Sequence, residues 1–170
     1  MRNLKILLLL SGIIFSSLSY AQKCRFQFDK EDPVTGERVV RTGVSLSMWT
    51  KFQFYRSDDD LRIEYYAMLG GEHNFSVPPG AIMKIRLGND EILEVKSVNK
   101  AVPTSSIVSN RVVTSYGFSY EITIEQMKTI GNAGIKAISV SFNKDIRRTH
   151  EFKKRKNKKI KKYARCISSI

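Results

Sequence analysis

Apolar and polar residues alternate with a period of two through much of residues 24 to 123, the pattern of strands that bury one face. Runs at 24 to 28, 37 to 42 and 44 to 55 carry it, with a turn cluster at 29 to 36 that holds Asp32-Pro33 and Thr35-Gly36. Val44, Leu46 and Met48 share a parity that Phe52 and Phe54 continue. Ser57-Asp58-Asp59-Asp60 predicts a turn. Residues 61 to 69 then set Leu61, Ile63 and Tyr65 against Arg62, Glu64 and Tyr66, and Gly70-Gly71 ends the run. A hairpin is predicted at 81 to 96, where two alternating segments flank Gly88-Asn89-Asp90, residues that tolerate positive φ. Pro78-Pro79-Gly80 sets an extended entry to it. The polar stretch 98 to 110 reads as a loop, and 111 to 123 as a strand rich in Val, Thr, Tyr and Phe.

At Thr123 the period changes. Thr123 and Gln126 have the spacing of a capping box, Ile124, Met127 and Ile130 recur at helical spacing, and Gly131 to Gly134 closes a short helix near 124 to 130. Alternation returns at 135 to 142. From 147 to 170 the period is helical again, with Phe152, Ile160, Tyr163, Ala164 and Ile167 in an arc of about 120°. Thr149 is placed to cap this helix and Glu151 suits its first turn. Lys156 interrupts the apolar stripe, so fraying is expected over 153 to 158. The expected architecture is mainly β (α+β). It is an antiparallel β-sandwich or partly open barrel of about seven strands, with one short helix and a basic C-terminal helix.

Three features together resemble those of small exported proteins of Bacteroidota-type bacteria. They are the segment 122 to 130 followed by 134 to 140, the hairpin at 78 to 96, and the Pro33-Val34-Thr35-Gly36 turn. The resemblance spans most of the chain after residue 21 and implies no activity, cofactor or catalytic residue.

Export is also written in the first 21 residues. Arg2 and Lys5 form a basic start, 6 to 18 an apolar run, and Ser19-Tyr20-Ala21 a small-x-small cleavage site. The apolar run is too short to cross a hydrocarbon core of about 30 Å as a helix. Gln22 and Lys23 separate Ala21 from Cys24, which argues against an acyl anchor. The expected organisation is a cleaved signal peptide at 1 to 21, a β-rich domain at 22 to 146, and a basic helix at 147 to 170 docked on that domain. The expected location is periplasmic or extracellular. In an oxidising compartment Cys24 and Cys166, the only cysteines, are expected to pair.

Composition sharpens one point. The 29 Lys and Arg against 16 Asp and Glu give +13, which invites a nucleic-acid or membrane reading. Residues 147 to 165 hold eleven of the cations against Glu151 alone, a net +10. With Arg2 and Lys5 set aside, the remaining body carries only +1. Candidate contacts for a polyanion are therefore Arg147, Arg148, Lys153, Lys154, Lys158, Lys159, Lys161 and Lys162. Three readings stay open: a docked helix with a solvated lysine face, contact with an anionic membrane surface or lipopolysaccharide, and contact with an acidic protein. Nucleic acid is the least favoured polyanion, because export removes the usual targets and no recognised binding motif occurs.

Candidate chemistry is sparse. His73 and His150 are the only histidines and lie far apart in sequence. Asp58-Asp59-Asp60 lacks the spaced ligands of a calcium loop and reads as a solvated turn. Gly70-Gly71-Glu72-His73 fits neither a phosphate loop nor a zinc-protease motif. Glu64 and Glu121 would serve a small envelope hydrolase only if the fold set them face to face. Trp49, Phe52, Phe54, Tyr55, Tyr65 and Tyr66 form a dense aromatic group, mostly core by alternation, with Tyr55 and Tyr66 out of register and surface-facing. No cofactor or metal is implied. The reading is an exported noncatalytic interaction module, with the hydrolase as the alternative.

Overall fold

The computed structural model describes residues 24 to 58 and 60 to 170, so the export segment at 1 to 21 lies outside the described residues. Among the described residues, ten strands and two helices follow in the order β1 (Phe28–Glu31), β2 (Arg38–Ser47), β3 (Thr50–Ser57), β4 (Asp60–Gly70), β5 (Ile82–Leu87), β6 (Ile92–Lys96), β7 (Thr104–Val108), β8 (Arg111–Glu121), α1 (Ile124–Ala133), β9 (Ile135–Ser141), β10 (Arg147–Glu151) and α2 (Lys154–Ser168). Every strand pair is antiparallel. A curled, half-barrel sheet has the order β1-β2-β3-β4-β8-β7, and a second sheet the order β10-β9-β5-β6. The mainly β, α+β class is thus the observed one, with features of both expected forms.

Alternation explains the core. Ile63, Tyr65, Ala67 and Leu69 of β4 are buried, as are Phe52 and Phe54 of β3 and Tyr116, Phe118 and Tyr120 of β8. Successive β8 aromatics stack at 6.4 and 5.9 Å between ring centroids. Phe142, just past β9, meets Tyr116 and Phe118 edge-on at 5.3 and 5.2 Å, which joins the two sheets in one core. A further seam is the bridge between Ser97 and Tyr120. The expected outward pair also holds, since Tyr66 is exposed and Tyr55 half-buried.

Several local expectations differ from the structure. Residues 147 to 151 form β10 and not the first turns of a helix, because the free edge of β9 takes them as a partner with Arg148 opposite Val140. Thr149 therefore caps nothing. Its hydroxyl lies 3.3 Å from Ser139 Oγ. Part of the stretch 98 to 110 pairs with β8 as β7, the edge of the larger sheet, where only one neighbour and no buried face is required. The first strand begins at Phe28 and runs into the expected turn, leaving 24 to 27 outside it. The run 44 to 55 is broken at Met48-Trp49 by the tight β2–β3 turn. The hairpin at β5–β6 and the α1 capping box between Thr123 and Gln126 are as read, and Asp90 takes a positive φ of 68°.

Candidate cationic face and the mouth of the half-barrel

Helix α2 is held on its inner side by more than apolar contact. Ile160, Ala164, Cys166 and Ile167 are buried, and Cys166 is disulfide-bonded to Cys24 with their Cα atoms 5.7 Å apart. Asn157 Oδ1 accepts the backbone N–H of Ile135 at 3.0 Å. Arg165 Nε donates to the Gly131 carbonyl at 2.8 Å, near the carbonyl end of α1, where a cation complements the helix dipole. Lys156 Nζ donates to the Leu46 carbonyl at 2.8 Å, so the cation inside the stripe keeps a polar partner and the helix stays regular from Lys154.

The outer side is cationic. Lys154, Arg155, Lys158, Lys159 and Lys162 are exposed, and no acidic residue stands in the first turn. Among the described residues, the five ion pairs all lie elsewhere, none of them on α2. The pairs 154/158, 155/158, 155/159, 158/162 and 159/162 are three or four positions apart, so these charges share one side of the helix.

The eight expected contacts therefore divide. Lys153, Lys154, Lys158, Lys159 and Lys162 are exposed on or just before α2, and Lys161 is half-buried where α2 passes Gly134. Arg147 and Arg148 are on β10 and face opposite ways. Arg147 Nε lies 3.3 Å from Ser141 Oγ, outside the sheet, whereas Arg148 lines a cavity with His150.

That cavity, of about 490 Å³, lies at the mouth of the half-barrel. Arg111 at the start of β8, Arg148 and His150 on β10, and Trp49 in the β2–β3 turn converge on it with Ala67 and Leu69. Behind His150 lies Tyr65, whose hydroxyl is 3.0 Å from His150 Nε2. Burial pushes the Tyr65 phenol well above its ordinary range, with the Arg148 charge opposing. Burial lowers the His150 pKa, and the Arg148 and Lys156 charges lower it further. Near neutral pH the pair is an uncharged phenol beside an uncharged imidazole. Trp49 also borders a second hollow of about 430 Å³, on the other side of the sheet, lined in part by Met48, Tyr66 and Gly117.

Other candidates are accounted for by their neighbours. Glu64 and Glu121 lie on the outer side of adjoining strands, but Glu64 faces Arg41 at 3.8 Å and Glu121 stands opposite Arg62. Asp60 pairs with Arg62 at 2.6 Å, and Asp59 lies outside the described residues. His73 bonds locally, with its Nε2 3.1 Å from the Gly70 carbonyl. Phe52, Phe54 and Tyr65 of the aromatic group are core, and Trp49 alone among the six reaches both hollows. Arg111 and His150, which local pattern does not single out as site residues, join the cavity only through the fold. Given a strand at 147 to 151, the spacing Arg148-x-His150 puts both residues on one face and so marks His150, whereas no local signal marks Arg111. Comparison of the chain with family models, with curated proteins and with solved structures finds no match.

Proposed function

We propose that the chain is an exported, noncatalytic binding module that docks an anionic membrane surface, lipid or lipopolysaccharide, through the outer side of α2. The observation that carries this reading is the set Lys154, Arg155, Lys158, Lys159 and Lys162, exposed together and without an ion-pair partner among the described residues. Each Lys or Arg held near an anionic membrane contributes about 1 kcal/mol at moderate salt, so five acting together are ample for reversible docking. The bridge from Cys24 to Cys166 supports the reading in two ways. It fits an oxidising compartment, and it ties the C-terminal end of the helix to the start of the described chain. Charge so exposed implies steep screening by salt.

Co-sedimentation with vesicles tests it, with phosphatidylcholine alone compared with phosphatidylcholine mixed with phosphatidylglycerol or lipopolysaccharide. Binding to the anionic vesicles, lost at high salt and weakened about tenfold or more in Lys154→Gln/Lys158→Gln/Lys162→Gln, is expected. Equal binding to neutral and anionic vesicles, or no effect of the triple substitution, overturns it. Capture of an acidic protein with no vesicle binding would replace the surface by a protein partner.

A further inference from the structure

We infer that the cavity at the mouth of the half-barrel is a binding site for a small amphipathic carboxylate, held by Arg111 and Arg148 with its apolar part against Trp49 and Leu69. This site is separate from the α2 face and does not depend on the function proposed for that face.

The cavity follows from a local change in side-chain size. Along β3, β4 and β8 one inward row is Phe52, Tyr65 and Phe118, three large rings in register. In the next row toward the mouth, Thr50 pairs with Ala67, and the aromatic filling stops on those two strands. The space so left measures about 490 Å³, within the range of roughly 300–1,000 Å³ that small-molecule pockets occupy. It is not a generic gap between surface side chains. Its lining comes from the β2–β3 turn and the strand residues flanking it, the last residues of β4, the start of β8, and β10 of the other sheet.

Polarity points to the ligand's charge. Arg111 and Arg148 arrive from different sheets, and neither makes an ion pair among the described residues. No carboxylate is among the described residues that line the cavity. Two guanidinium groups with no internal counter-charge favour an anion, and their planar forks match a carboxylate. Beside Ser47, Thr50 and His150, the lining presents Trp49, Ala67, Met68, Leu69 and Val113, which suit an apolar body. A strongly hydrated inorganic anion would leave this apolar lining unused, while a neutral hydrocarbon would leave both arginines unanswered. An acid with a short hydrocarbon chain satisfies both halves.

Trp49 is the sole tryptophan of the chain and borders both this cavity and the hollow lined by Met48 and Tyr66. Its fluorescence therefore detects a ligand in either, and the arginine variants assign the signal to this one. The oxidised protein is titrated with decanoate, and with decanol and decyltrimethylammonium as neutral and cationic probes of equal chain length. A saturable change with decanoate is expected, weakened about tenfold or more in Arg148→Gln and in Arg111→Gln, the loss of one charge-assisted contact. Lys154→Gln/Lys158→Gln/Lys162→Gln should bind decanoate as the unaltered chain does, which separates this site from the α2 face. Both arginines are exposed, so circular dichroism should show an unchanged fold in each variant. Equal responses to all three probes, a linear response without saturation, or unchanged affinity in both arginine variants would overturn the inference.

Discussion

The hydroxyl of Tyr65 on β4 lies 3.0 Å from Nε2 of His150 on β10, and this contact joins the interior of the larger sheet to the edge strand of the smaller one. Tyr65 has no solvent exposure, while His150 is half-buried and borders the mouth cavity. Two strands far apart in sequence thus share one neutral polar contact beneath the arginines.

Removing that hydroxyl should cost little volume but leave the imidazole nitrogen without its partner. Tyr65→Phe is expected to destabilise the fold by about 1 kcal/mol. Tyr65→Ala, which also opens a cavity in an aromatic core, is expected to cost about 3–5 kcal/mol. Urea unfolding of the three proteins decides the point, and equal losses for Phe and Ala would contradict it.

The surroundings of His150 also predict a pH dependence. The folded His150 pKa is lowered, by burial first and then by Arg148 and Lys156, relative to an ordinary value near 6.5. The unfolded chain therefore takes up this proton at higher pH than the folded chain does. Stability is unaffected by this group above that ordinary value and falls as pH drops from it toward the folded value. Thermal midpoints measured from neutral pH downward should decline less steeply in His150→Gln than in the unaltered protein. Identical slopes would remove His150 as the cause.

Cys24 and Cys166 are 142 residues apart, so their bond closes nearly the whole described chain into a loop. Loop entropy for such a ring is on the order of 5 kcal/mol, and losses of about 2–5 kcal/mol are usual when a native bridge is removed. Reduction, or the pair Cys24→Ser/Cys166→Ser, should lower the unfolding midpoint accordingly. Thiol labelling of the unreduced protein should find neither cysteine free.

Gly134 sets how closely α2 approaches α1. With φ 78° and ψ −177° it sits in a region that is essentially glycine's alone, and a Cβ there would collide with Asn157 Oδ1. Gly134→Ala is expected to cost about 1–3 kcal/mol from the backbone alone. Asn157→Ala leaves the Ile135 N–H without its acceptor and should cost about 1–3 kcal/mol. Because the collision is with Asn157 itself, the double substitution should cost less than the sum of the two. Strict additivity, read from denaturant unfolding, would refute the coupling.

Much of this architecture follows from local pattern. The alternation of β3, β4 and β8, the Gly88-Asn89-Asp90 hairpin and the Thr123–Gln126 box each depend on a few neighbouring residues, and so were legible in order along the chain. The pairing of two cysteines had a single solution. Charge counting likewise placed the net +10 between 147 and 165.

What required tertiary structure was every feature that depends on a distant partner. Residues 147 to 151 read as the start of a helix from local pattern, and the unpaired edge of β9 made them a strand. That one change sent Arg148 and His150 inward while Arg147 stayed outside, dividing a charge run that looked continuous. The mouth cavity is likewise non-local, since Trp49, Ala67, Arg111 and Arg148 come from four separate segments and only the sheet register sets them around one space. Periodicity identifies which face of an element is apolar, but it carries no information about which other element will cover that face.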